Sequence, residues 1–293
     1  MKLIVFPAVA AALVAAGFSG PGNSRPGAPP LIGAPSPSSP AHSQEVLAYG
    51  VPSVRRATYR VADTMTLSIG SGAESTELTS VAAATLSMSF RSVTAGVRVD
   101  AEIVDFSGST GNAEVGTRSL GRDDARGSMV FVVGSTGAIE EVARPDLSPN
   151  AGQFSLFNQL PYDLFPGLPG RAADPGESWS DTVVWRSAVG GMETTSITAR
   201  TYSLTGETVV DGRSLVTIAL SAEVAIAASG SQGGRTTTSN ITGTLTGHIL
   251  WEAETGLLHA AELMRDYAGR STMQGRAPGS VGFAGVQRLR REH

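Results

Sequence analysis

Alternation of apolar and polar residues over runs of more than ten positions is the feature that most narrows what this chain can become. Tyr59, Val61, Met65, Leu67 and Ile69 alternate with Thr58, Arg60, Thr64, Thr66 and Ser68, the period-two pattern of a strand with one buried face. The next run sets Leu78, Ala82, Ala84, Leu86, Met88 and Phe90 against Thr79, Thr85, Ser87, Ser89 and Arg91. A third sets Val97, Val99, Ala101 and Ile103 against Arg98, Asp100 and Glu102. Gly70-Ser71-Gly72 and the turn at Ala95-Gly96 join these three into a meander. Past a polar loop over 107–126, the run 129–133 turns back through 134–137 into 138–142. The second half repeats the style. Val216, Ile218, Leu220, Ala222, Val224 and Ile226 form one face, and Ile241, Leu245, Ile249 and Trp251 form another with Gly243 and Gly247. The hairpin at Glu254-Thr255-Gly256 then leads into Leu257, Leu258 and Leu263.

One helix interrupts the strands. Phe154, Phe157 and Leu160 fall at helical spacing within 153–160. Residues 161–169 continue as an apolar loop, with Leu164, Phe165 and Leu168, that Pro161, Pro166 and Pro169 keep out of any ladder. The expected organisation is a signal peptide over 1–20, a linker over 21–53, one antiparallel domain over 54–273 and a tail over 274–293. Within the domain, a meander over 54–145 and another over 175–273 flank the helix and loop of 149–170.

Strands this long exceed the usual five or six residues and make a tall, strongly twisted sheet. Ala82, Ala84, Ala222, Gly243 and Gly247 sit among the large residues of the buried faces. Small inward side chains let a sheet curl and leave room on its concave side. The expected fold is therefore mainly β: a curved antiparallel sheet, a half-barrel or open barrel, with the short apolar helix and loop as its lid. Leu86, Met88, Phe90, Ile241, Leu245, Ile249 and Trp251 are the candidate ligand-binding wall, and Phe154, Phe157, Leu160 and Phe165 the candidate lid. The same small residues also suit bends in a sheet packed tightly against the helix or a second sheet.

Composition decides between functional classes. The net charge is -4, and the positive residues form no run before Arg288–Arg291, so there is no electrostatic footprint for nucleic acid. The chain has no cysteine, hence no disulfide, no thiolate metal site and no thiol to acylate. His42 lies in the linker and His293 at the terminus, leaving His248 and His259 in the folded part. A register pairing 252 with 257 puts 248 opposite 261 and 250 opposite 259, both imidazoles on one face beside Glu252. Backbone spacing of about 7–8 Å on that diagonal is wide for a metal. Asp123-Asp124 and Glu140-Glu141 read as solvated charge, because neighbours on a strand point to opposite faces. Asn240-Ile241-Thr242 is formally a glycosylation sequon. No nucleophile elbow, phosphate loop, zinc helix or dinucleotide fingerprint occurs. No metal or cofactor and no catalytic residue is expected.

Lys2 followed by the apolar residues 3–18 is the pattern of a secretory signal peptide, and 21–44 is rich in proline, glycine, serine and alanine, the composition of a spacer. Three later pieces carry a resemblance: Pro175-Gly176-Glu177-Ser178-Trp179, Val210-Asp211-Gly212-Arg213 and Glu254-Thr255-Gly256-Leu257. In these the chain resembles exported bacterial β proteins similar in architecture to periplasmic lipoprotein carriers and mycobacterial lipid-binding lipoproteins. The resemblance implies an unclosed barrel that carries acyl chains or another apolar ligand. The chain departs from those lipoproteins in lacking the lipid-anchored cysteine and in having little helix.

The expected function is accordingly an exported, non-enzymatic protein of the periplasm or extracellular envelope that binds a lipid, an acyl chain or a lipidated partner. No nucleic acid and no membrane span in the mature form are expected. The alternatives are a structural or interaction module of the envelope with a filled core, an outer-membrane barrel, and a hydrolase. The 6% aromatic content is thin for the girdles of a barrel. A hydrolase would need His248 or His259 buried beside a serine and a carboxylate.

Overall fold

A computed structural model describes residues 46–71, 74–112, 116–148, 151, 156–189, 191–232 and 235–292. The proposed signal peptide, most of the linker, Phe154, His42 and His293 lie outside the described residues. In chain order the strands of the first half are β1 (Val46–Leu47), β2 (Arg56–Ser71), β3 (Glu74–Val93), β4 (Gly96–Asn112), β5 (Gly116–Leu120), β6 (Ala125–Arg126), β7 (Ser128–Val133), β8 (Ile139–Ala143) and β9 (Asp146–Leu147). Helix α1 (Leu156–Leu164) follows. The second half contains β10 (Arg171–Ala172), β11 (Ser178–Val189), β12 (Met192–Val210), β13 (Arg213–Gln232), β14 (Arg235–Glu252), β15 (Leu257–Met273) and β16 (Gly279–Glu292).

Among the described residues the protein is mainly β, a half-barrel built around one curled antiparallel sheet with one short α-helix. Its strand order is β11-β12-β13-β14-β15-β16-β2-β3-β4-β7-β8, with β5 pairing to β4. Each half is a meander, and β16 joins them by pairing with β2 from Ser280 opposite Gly70 to Glu292 opposite Thr58. The last strand thus lies beside the first long one, and the break in the sheet falls in the middle of the chain, between β8 and β11. The two edges approach where Arg144, just past β8, donates from Nη2 to the carbonyl of Arg186 on β11 at 3.1 Å.

Residues 279–292 are therefore a strand and not a tail. Gln287, Leu289 and Arg291 face inward in alternation, while Arg288 points out and pairs with Glu262 at 2.6 Å. An arginine-rich stretch disguised a period-two pattern whose outward half is charged. Two more boundaries differ. Residues 107–112 extend β4 and Gly116–Leu120 return as β5, so the polar loop is largely strand. Leu47 and Tyr49, assigned to the linker, are buried, and β1 pairs with β10.

Nearly all of the inward side chains join the helix in one large core, with Met192 and Ala228 as a small separate cluster. Within it the glycines of β14 are covered, contrary to the expectation of space above them. A Cβ on Gly243 would meet Tyr267 Cδ1 at 2.8 Å, and one on Gly247 would meet Leu263 Cδ2 at 2.7 Å. Tyr267 and Leu263 are their cross-strand partners on β15, so each glycine admits a large neighbour.

At one end a buried ionic knot fastens β16. Glu252 takes Arg291, Arg213 at 3.1 Å and the Thr255 hydroxyl at 2.6 Å, and Arg291 also donates to Thr255 at 3.0 Å. Burial opposes ionisation of Glu252, but the hydrogen bonds from Thr255 and Arg291 and the charges of Arg291 and Arg213 outweigh it and hold the carboxyl below its ordinary value of 4.5. A lowered carboxyl pKa stabilises the fold fully above the unfolded value, and that stabilisation is lost as the pH falls through the folded value. Denaturant titrations below pH 4.5 are expected to show Glu252→Gln flattening the acid limb of the stability profile. An unchanged limb would remove Glu252 as its source.

Candidate functional site

The site is the concave face and the segment that fills it. Helix α1 extends past the expected end at Leu160, through Pro161, to Leu164. Pro161 has no N–H to give the Phe157 carbonyl, a cost of about 3 kcal/mol in an isolated helix. Burial of most of the described helix side chains offsets it here. Of the side chains described in α1, only Tyr162 is even half-exposed; the rest are buried.

The helix and the loop after it meet different parts of the sheet. Phe157 packs against Phe106 of β4 with ring centroids 5.4 Å apart. Asp163 reaches Arg200 of β12 and Arg265 of β15. Just past the helix, Phe165 meets Phe131 of β7 at 5.5 Å and Tyr49 at 5.6 Å, and Tyr49 in turn meets Trp251 edge-on at 5.0 Å. The helix and loop therefore lie buried against the concave face and plug it.

Backbone hydrogen bonds fix the following loop. Tyr49 donates to the Pro166 carbonyl at 2.8 Å, Trp179 Nε1 to the Gly167 carbonyl at 2.8 Å, and the Gly167 N–H to the Tyr202 hydroxyl at 3.0 Å. Leu168 N–H bonds Thr136 O at 3.0 Å. A Cβ at Gly167 would lie 2.4 Å from Asp181 Oδ2, so a larger residue there would need the Asp181 side chain to move.

The candidate wall residues Leu86, Met88, Phe90, Ile241, Leu245, Ile249 and Trp251 all fall in the large core, together with Phe157, Leu160 and Phe165. Phe154 lies outside the described residues. The two histidines are not brought together. Glu252 pairs with Leu257 as expected, but a bulge near Leu250 and Trp251 shifts the register, so His248 pairs with Glu262 and Leu250 with Ala260. His248 is exposed and His259 is buried. Asp124 caps a short turn through the Gly121 N–H at 3.0 Å and takes Ser148 Oγ at 2.8 Å; Asp123 pairs with Arg126, and Glu141 with Arg144. No cluster of three or more metal-ligating side chains occurs among the described residues.

Alternation missed a buried charge network. Arg200 Nη2 lies 3.1 Å from Asp163 Oδ1 and its Nη1 donates to the Tyr162 carbonyl at 2.8 Å. Arg265 Nη2 lies 3.5 Å from Asp163 Oδ2, its Nη1 donates to Asp63 Oδ1 at 3.0 Å, and it also bonds Gln287 Oε1. All four charged side chains are at most 6% exposed. Burial raises the Asp163 carboxyl above its ordinary range against the pull of both arginines, and Asp63 likewise against Arg265. The signal was present: Asp63 lies between Val61 and Met65, and Arg265 between Leu263 and Tyr267, each at an inward position.

No protein-family model and no curated protein matches this sequence. Among the described residues no helix is long and apolar enough to cross a membrane.

Removing one partner of a buried ion pair leaves an uncompensated charge, at a cost of about 3–5 kcal/mol. Asp163→Ala is expected to lose that much in urea or guanidinium unfolding. A loss under about 1 kcal/mol, the range of an exposed pair, would show that the helix is not held this way.

Proposed function

We propose that this chain is an exported, non-catalytic binding protein for a hydrophobic ligand in the bacterial cell envelope, and that its own helix and loop occupy the ligand space when it is empty. One observation carries the reading. The concave face of a tall sheet is largely apolar, yet it is covered by short chain segments, chiefly α1 and the loop after it, instead of a second large sheet.

Exchanging that segment for an acyl chain keeps the sheet dry before and after. Each buried methylene contributes about 0.8 kcal/mol, which an acyl chain sets against the plug's own buried apolar side chains, its hydrogen bonds and the Asp163 ion pairs. The convex side suits water: Thr238, Asn240, Thr242, Thr244 and His248 are exposed along β14. Lys2 and the apolar residues 3–18 support export, and periplasmic or extracellular placement belongs to the same proposal.

A filled interior also fits a second reading, an envelope interaction module working through the open edges β8 and β11. Native mass spectrometry of protein purified from its own envelope, with titration by fluorescent fatty-acid probes, separates the two. The carrier is expected to retain lipid at defined stoichiometry and to take up probe after delipidation. Protein that is repeatedly empty and ignores every probe would overturn the carrier.

A further inference from the structure

We infer that seating of the plug is coupled to proton uptake: Asp163 brings a third carboxylate to two buried arginines, so acid favours the seated helix and rising pH favours its release. The inference rests on the plug of the carrier reading above and names its regulation.

The wall is balanced without the helix. Asp181 of β11 stands directly opposite Arg200 of β12, and residues so opposed lie about 5 Å apart at Cβ. Its carboxylate turns inward, with Oδ2 3.5 Å from the Tyr202 hydroxyl. Arg265 donates to Asp63 Oδ1 at 3.0 Å. Each wall arginine thus has a carboxylate of the wall beside it.

Asp163 enters this set from α1. Its Oδ1 lies 3.1 Å from Arg200 Nη2, and its Oδ2 3.5 Å from Arg265 Nη2. The other groups around the cluster add no charge. Gln287 is an amide bonded to Arg265. Tyr202, Tyr267 and, on the helix itself, Tyr162 are raised above the ordinary phenol range by burial and stay neutral.

The seated cluster therefore sets three carboxylates against two guanidiniums, and charge in excess is costly in a dry interior. A proton removes the excess. Asp163 Oδ2 is buried with no hydrogen-bond partner among the described residues and is open to carry it. Burial raises Asp163, Asp63 and Asp181 above their ordinary value of 3.8 against the pull of the arginines, and Asp63 adds repulsion at Asp163. On a displaced helix, in water, Asp163 returns to the ordinary value. The seated state thus holds the proton more tightly. Its advantage is full below 3.8 and is lost as the pH rises through the raised value.

Calorimetric titration of the delipidated protein with hexadecanol, uncharged at every pH used, tests this between about pH 4.5 and 8 in buffers of different ionisation enthalpy. Loading is expected to release up to one proton, and affinity to rise with pH by up to about tenfold per unit before levelling. Asp163→Asn, which cannot titrate, is expected to lose most of that dependence. Asp181→Asn, which leaves two carboxylates against two arginines, is expected to move it to lower pH. A purely structural role would leave the pH profile in place. Affinity that is flat with pH and releases no proton would overturn the coupling and leave the carrier standing, as would a dependence that survives intact in Asp163→Asn. If hexadecanol binds at no pH, the carrier falls, and hydrogen exchange of 156–164 in the empty protein, corrected for the intrinsic rate, decides the coupling. Protection that falls as the pH rises upholds it; constant protection overturns it. Should either variant fail to fold, the same measurements on the unaltered chain decide alone.

Discussion

A single sheet that curls on itself has no second layer to keep its concave face dry, and the rest of this structure follows from that constraint. The chain meets it with its own middle. Because β16 pairs with β2, the sheet is continuous where the termini meet and broken between β8 and β11. The segment that crosses this break holds α1 and the apolar loop, and it turns into the curl. Break and plug are thus one feature of the topology.

The interior tolerates charge only where it is paired, and it uses pairing at two places for different ends. Glu252 with Arg291 and Arg213 ties three strands of one sheet, β13, β14 and β16. Asp163 with Arg200 and Arg265 ties a strand wall to a segment joined to it only through loops. A buried pair is weak evidence for net stability, since desolvation consumes much of its attraction, but it specifies strongly which parts may lie together. The second network specifies where the helix sits.

Much of the architecture could be read in the sequence. Period-two runs such as 59–69 and 82–90 located β2 and β3, and the spacing of Phe157 and Leu160 located α1. The failures have identifiable causes. β16 was hidden because its outward positions are arginines, and β12 because Ser196, Thr198 and Arg200 are polar at inward positions. The histidine pairing failed because a bulge near Trp251 shifts the register by one residue, which no local pattern announces. The wall residues were found because they are large and apolar. Asp63, Arg200 and Arg265 were passed over as exceptions to the alternation, although a charge at an inward position is where such a sheet departs from a simple core.

Amide hydrogen exchange across 156–168, in the empty protein and at saturation with an acyl ligand, tests the displacement of the plug most directly. The expected result is strong protection of this segment when empty and its loss on loading, while β12–β15 stay protected throughout. Protection of 156–168 that is unchanged or higher in the loaded protein would contradict the account, because the helix would then be a permanent part of the core.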